Sequence, residues 1–153
     1  MKKYYYKSPI GILEIICSED LLYSLKITDK LGVSDTDTKF SKDIKLQLDE
    51  YFSGEREIFE ININPNGTNF QKRVWSELLK IPYGTTKNYS EIAECIRNKK
   101  APRAVGSACN KNPIIIVIPC HRVIPKNGGF GGFAYGNLVK QELLKIENHI
   151  EII

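Results

Sequence analysis

The sequence predicts an α+β chain in two parts, a small N-terminal β-sheet with a helix followed by a mainly helical segment containing a helix-turn-helix. Three observations point there. Strand-length runs of Tyr, Ile and Leu fill the first half, and helix-capping pairs fill the second. Between them Asn64-Pro65-Asn66-Gly67 is the clearest turn signal in the chain. The first part opens as a β-meander over Lys3–Lys7, Ile10–Cys17 and Leu21–Ile27, interrupted by Ser8-Pro9 and Ser18-Glu19-Asp20. After a polar loop over residues 34–39, Phe40, Ile44, Leu48, Tyr51 and Phe52 form a helical stripe, and Gly54 stands where a C-terminal cap belongs. Residues 57–63 are a candidate for one more strand. The expected division is therefore 1–63, a linker over 64–69, and 70–153.

In the second part Thr68 and Gln71 have capping-box spacing, and Phe70, Val74, Trp75, Leu78 and Leu79 share one helix face. Ile81-Pro82-Tyr83-Gly84 ends that helix. Asn88 with Glu91 opens a short helix through Ile92, Ala93 and Ile96. A polar turn over 98–101 follows, and Pro102 suits the first position of another helix running to about Cys109. Two short helices across a tight basic turn fit either a helix-turn-helix or an ordinary αα-hairpin. The second helix is narrow, with Ala104, Gly106, Ser107 and Ala108 in sequence. A glycine inside a helix costs about 1 kcal/mol relative to alanine, so its place there asks for a close approach, to the protein's own core or to a nucleic-acid groove.

Composition narrows the function classes. At 153 residues with 42% hydrophobic content the chain can bury a core, which excludes a disulfide-dependent miniprotein. No apolar run approaches the roughly 20 residues of a membrane span, and the basic start lacks an apolar secretory segment. An intracellular, cytoplasmic chain without a membrane partner is expected. Cys17, Cys95, Cys109 and Cys120 are irregularly spaced with no Cys-x-x-Cys pair, so reduced thiols are the default. Charge is divided unevenly: residues 1–69 carry net −3 and residues 70–153 net +7. A Lys/Arg excess confined to one segment is a footprint for phosphates, though a solvated basic face has the same signature.

The densest chemistry lies in residues 112–125. An apolar run, Ile114–Ile118, between two prolines must be buried, and it delivers Pro119-Cys120-His121-Arg122 at its end. A thiol becomes a strong nucleophile only as thiolate, which asks for a nearby base or positive charge. His121 and Arg122 are candidates for both. Downstream, residues 128–136 form a Gly/aromatic loop whose backbone and rings can face a ligand, leading into a helix from about Asn137 to Asn148.

Together, Pro119-Cys120-His121-Arg122-Val123, Arg103-Ala104-Val105-Gly106, Asn112-Pro113, the Tyr83-Gly84 to Tyr89 segment and the Gly-rich loop resemble the O6-alkylguanine-DNA alkyltransferases, over roughly residues 70–148. The resemblance implies a ribonuclease H-like N-terminal part and a helical DNA-binding domain that repairs O6-alkylguanine, and less readily O4-alkylthymine. Repair passes the alkyl group to Cys120 once, with no cofactor and no metal. It implies His121 as the base acting through a water, Glu147 as its orienting carboxylate, Asn112 as a buttress, and Tyr89 as the residue that rotates the nucleotide and donates to the leaving base. Arg103 would fill the gap left by the flipped base. Ala104 and Gly106 would lie against the DNA, and Gln71, Ser90, Asn98 and Lys126 would touch its backbone. Val123, Phe133, Ala134 and Tyr135 would form the base pocket. The partner implied is double-stranded DNA bearing the lesion, bound by a monomer, with cooperative binding left open.

Some positions depart from the family pattern. Tyr135 stands where some members carry a small residue, which would crowd O6-benzyl groups, and Phe133 stands where a tyrosine is often found. Cys17 is the one cysteine in residues 1–69, so a zinc-binding regulatory module is not expected. Three rivals remain at this level. A non-catalytic lesion-binding relative would replace the acceptor cysteine that Cys120 supplies. A helix-turn-helix regulator has no use for a buried Pro-Cys-His, and a Cys-His hydrolase would need an oxyanion hole and turnover.

Overall fold

The structure, a computed structural model, describes residues 1–97 and 101–147. It divides into two compact units, Met1–Asn66 and Gly67–Ile153. In the first, β1 (Lys2–Ser8), β2 (Gly11–Cys17) and β3 (Leu22–Thr28) form an antiparallel sheet in sequence order. Alternation puts Tyr4, Leu13, Ile15, Cys17, Leu22 and Leu25 into the core. Helix α1 (Lys39–Phe52) adds Ile44, Leu48 and Tyr51 to that core, and a Thr38–Ser41 capping box starts it.

Residues 57–63 make no strand. Ile63 forms a single bridge to Leu22, and Ile58 is exposed. The reason lies in α1: the Gln47 side chain accepts from the Glu60 N–H at 2.8 Å and donates to the Glu60 carbonyl at 3.2 Å. Those are the two backbone groups a sheet neighbour would have taken.

The second unit is built from α2 (Asn69–Leu78), β4 (Lys87–Asn88), α3 (Tyr89–Cys95), α4 (Pro102–Asn110), a 3₁₀ turn at Cys120–Arg122, β5 (Val123–Ile124) and α5 (Asn137–Ile146). The Thr68–Gln71 and Asn88–Glu91 capping boxes both form, and Pro102 opens α4. Because α2 begins at Asn69, the last residue of the expected linker is helical. The polar turn at 98–100 and residue 148 lie outside the described residues. Helices α2, α3 and α4 pack on one another around Trp75, whose indole N–H donates to the Ala108 carbonyl at 2.9 Å. The apolar run is buried as expected except at the half-buried Val117, and it is a tight loop rather than a strand: Ile118 N–H returns to the Ile114 carbonyl at 3.0 Å and Ile116 takes φ +73°. Among the described residues no helix is long and apolar enough to cross a membrane.

Candidate active site

The apolar loop ends on Cys120, and Asn112 fixes it from inside. The Asn112 Nδ2 donates to the Ile118 carbonyl at 2.7 Å, its Oδ1 accepts from the Ile114 N–H at 2.9 Å, and the Cys120 N–H donates to the same Ile118 carbonyl at 2.8 Å. With water excluded, these bonds satisfy backbone groups that would otherwise be buried without partners. Cys120 is 4% exposed. Burial pushes its thiol up, while the Asn112 side chain, the Lys140 charge and backbone hydrogen bonds at 120 and 121 pull it down.

His121 is fully buried, and its Nε2 lies 2.7 Å from Glu147 Oε2. Arg122 grips the same carboxylate from the other side, Nε donating to Oε1 at 2.8 Å and Nη2 to Oε2 at 3.1 Å, while Nη1 donates to the Ile81 carbonyl at 2.8 Å. The sequence made Arg122 a candidate activator of the thiol. In the fold its guanidinium is committed to Glu147, with the Tyr83 ring centre 5.7 Å away. Burial alone would raise the Glu147 carboxyl, but His121 and Arg122 outweigh it and hold the group well below the usual carboxylate range. Burial lowers His121, and the charges of Arg122 and Lys140 lower it further, against the opposing pull of Glu147. The imidazole is thus neutral near pH 7. Facing an ionised carboxylate, Nε2 carries the proton and Nδ1 the lone pair. Nδ1 is buried without a hydrogen-bond partner among the described residues, so it is the atom able to accept a proton.

Tyr89 reaches this region through the β4–β5 pair, where Lys87 aligns with Val123 and Asn88 with Ile124. The strand that follows Cys120 therefore sets where α3 starts. Burial, with the charges of Cys109 and Cys120 adding, pushes the Tyr89 phenol up to about 12, so it remains a proton donor. Gly131, at φ +72°, lets the Gly-rich loop close over it: a β-carbon there would lie 3.1 Å from the Tyr89 hydroxyl. Along α4, Val105, Ala108 and Cys109 face inward, and Arg103, Ala104, Ser107 and Asn110 face outward. With Tyr89 and Gly132 the outer side of α4 bounds a groove of about 690 Å³. Gly106 faces the Tyr89 ring, where a β-carbon would lie in ordinary contact at 3.8 Å.

The remaining expected residues fall in graded positions. Val123 is buried, Phe133 and Tyr135 are half-buried with ring centres 6.1 Å apart, and Ala134 is exposed. Gln71 and Ser90 are half-buried near helix starts, and Lys126 is exposed. Asn98 lies outside the described residues. One residue was not anticipated. Lys140 on α5 is 1% exposed and its Nζ donates to the Val123 carbonyl at 2.5 Å. A signal for it was available in the sequence, because Lys140, Leu143, Leu144 and Glu147 share one helix face and two charges therefore interrupt a buried stripe.

Two family models match the chain, the 6-O-methylguanine DNA methyltransferase ribonuclease-like domain over residues 1–65 and the DNA binding domain of the same enzyme over residues 69–149. A methylated-DNA–protein-cysteine methyltransferase of Methanosarcina acetivorans is 45% identical over 148 residues, covering 93% of this chain and 95% of the relative. One from Mycobacterium leprae is 42% identical, covering 93% and 89%. Among solved structures, the Mycobacterium tuberculosis O6-methylguanine methyltransferase superposes with a TM-score of 0.87 at 38% identity, covering 95% of this chain and 92% of that one. The OGT protein of that organism in complex with DNA gives 0.88 at 38% identity, covering 96% and 92%.

Proposed function

The chain belongs to the 6-O-methylguanine DNA methyltransferase family, and on that premise we propose that it repairs O6-alkylguanine in duplex DNA by moving the alkyl group irreversibly to its own Cys120. The observation that carries this reading is the junction of a buried thiol with an imidazole whose outer nitrogen is held by a carboxylate and whose inner nitrogen is unpartnered among the described residues. His121 Nδ1 takes the thiol proton through a water, and Glu147, itself held by Arg122, keeps the imidazole in the tautomer that can do so. The thiolate lone pair forms a bond to the alkyl carbon, the C–O6 bond breaks, and its electron pair leaves on guanine. The Tyr89 hydroxyl donates to that base as charge develops on it. A thioether remains on Cys120 and has no path back to thiol, so each molecule acts once.

Reaching the lesion requires extracting the nucleotide from the stack, at a cost of a few kcal/mol. The exposed Arg103 at the start of α4 fills the space left behind, and the small outer side of α4 at Ala104 and Gly106 lets the helix approach the minor groove closely. Gln71, Ser90 and Lys126, with Asn98, contact phosphates. Val123, Phe133, Ala134 and Tyr135 line the base pocket. The Val123 carbonyl already accepts from Lys140 and keeps a second lone pair for the base edge. The protein acts as a monomer. Mixing it with an oligonucleotide containing O6-methylguanine should make one equivalent of protein heavier by one methylene unit, mapped to the peptide carrying Cys120. Turnover beyond one equivalent, or mass gain at another residue, overturns the proposal.

A further inference from the structure

Lys140 has no role in the chemistry just described, yet it is among the most fully buried side chains of the protein. Among the described residues its Nζ hydrogen-bonds to the Val123 carbonyl and no carboxylate pairs with it. Its Nζ stands 5.9 Å from the Tyr89 ring centre and 5.8 Å from that of Phe133. A cation buried without an anion is costly, and proteins keep one where the charge is used. The titratable groups facing it are Cys120 from the 3₁₀ turn, Cys109 from α4 and Tyr89 from α3, with His121 in the same field. Burial pushes the ammonium down to about 8, which still leaves it protonated at neutral pH. Cys109 is driven far up by burial and stays a thiol, and Tyr89 stays a phenol. Lys140 is tied by the Val123 carbonyl to the end of the 3₁₀ turn that carries Cys120, and the Val123 N–H donates in turn to the Cys120 carbonyl, so Cys120 is the group beside the ammonium to which the reaction gives a negative charge.

We propose that Lys140 is the counter-charge that makes the Cys120 thiolate accessible inside a dry site, acting through the sulfur rather than on the substrate. This rests on the reading of Cys120 as the alkyl acceptor. Lys140 is a positioning residue: the thiol proton still goes to His121, and Lys140 neither gives nor takes one. The Val123 carbonyl holds the ammonium in place, and the Tyr89 and Phe133 rings shield it from water, which strengthens its action on the sulfur. Helix α5 then serves both partners of the reaction, the sulfur through Lys140 and the imidazole through Glu147 two turns later.

The test is the pH dependence of Cys120 in the full-length protein, read as thiolate absorbance by difference from Cys120→Ser and as single-turnover repair of an O6-methylguanine duplex. In Lys140→Met the thiolate should appear at least one pH unit higher, with about a tenfold loss of rate at neutral pH that shrinks as pH rises. Binding to the duplex should change less than twofold. Lys140→Arg, which keeps the charge, should restore the titration toward wild type even where imperfect packing lowers the rate. A loss that is equal at every pH, or an unmoved thiolate titration, overturns the inference. If Lys140→Met does not fold, Lys140→Arg and Lys140→Gln carry the comparison, and a common titration for the two overturns it equally. Mass mapping of the wild type separates the premises, since an alkyl group found away from Cys120 defeats the acceptor reading whatever Lys140 does.

Discussion

Replacing Glu147 by Gln removes one negative charge and nothing else of size, and the geometry predicts two separate losses. The carboxylate receives His121 at 2.7 Å and Arg122 at 2.8 and 3.1 Å in a site where Glu147 is 1% exposed and Arg122 6%. With a neutral amide, Arg122 keeps the amide oxygen, the Ile81 carbonyl and the Tyr83 ring but loses the negative charge that balances its own inside the site. Removing one partner of a buried pair costs about 3–5 kcal/mol, which corresponds to a fall in melting midpoint of more than about 10 °C for a domain of this size. The second loss concerns the tautomer. A glutamine that turns its NH₂ to His121 puts the lone pair on Nε2 and the proton on Nδ1, leaving no base beside the thiol. Loss of a positioned base costs about 10²–10⁴ in rate. The variant should therefore repair O6-methylguanine duplex at least a hundredfold more slowly in single-turnover assays at a temperature where circular dichroism shows it folded. The acid limb of stability should change as well. Both Glu147 and His121 are depressed in the folded state, so the unfolded chain binds their protons first. Stability is present above the unfolded values and is lost as pH falls, from about 6.5 for His121 and from about 4.5 for Glu147. The Gln variant should lose the lower of these limbs. Unchanged melting together with an unchanged repair rate would refute the reasoning outright.

Arg103→Ala should slow repair in duplex DNA far more than alkylation by free O6-methylguanine base, and should lower the slope of log affinity against log salt by at most about one unit; equal losses on both substrates remove its role in the duplex. Trp75→Phe removes the indole donor from the Ala108 carbonyl, which keeps the Lys111 N–H at 3.2 Å, and should cost about 0.5–1.5 kcal/mol in urea melts, with the one-equivalent stoichiometry unchanged.

Local signals carried most of the fold. The hairpin strands, the capping boxes at Thr68 and Asn88 and the proline at the start of α4 are specified by residues within a few positions of one another, so the chain alone discloses them. The segment at 57–63 failed because its backbone pairing is taken by Gln47, a residue over ten positions earlier whose side chain no local pattern connects to Glu60. Arg122 shows the same limit at the site. Sequence adjacency suggested it would serve Cys120, whereas the 3₁₀ turn directs its side chain to a carboxylate 25 positions on. Cys120 and His121 stand out in the sequence as a nucleophile and base after a buried run, whereas Asn112 and Glu147 enter only through resemblance to a family. Their spacing along the chain would not have joined Glu147 to the others.

Lys140 escaped notice because a lysine in an amphipathic helix is ordinarily read as solvated. Its position on the inward stripe with Glu147 makes that reading fail, since both charges must then be used inside. The fold tolerates this for a chemical reason. An enzyme that turns over must release product from its nucleophile and readmit solvent, and a sulfur only 4% exposed behind a closed loop would obstruct both. An acceptor that works once has no such step. Deep burial then carries only the difficulty of forming a thiolate away from bulk solvent, and that difficulty is electrostatic, so it is met by fixed hydrogen-bond donors and an enclosed cation.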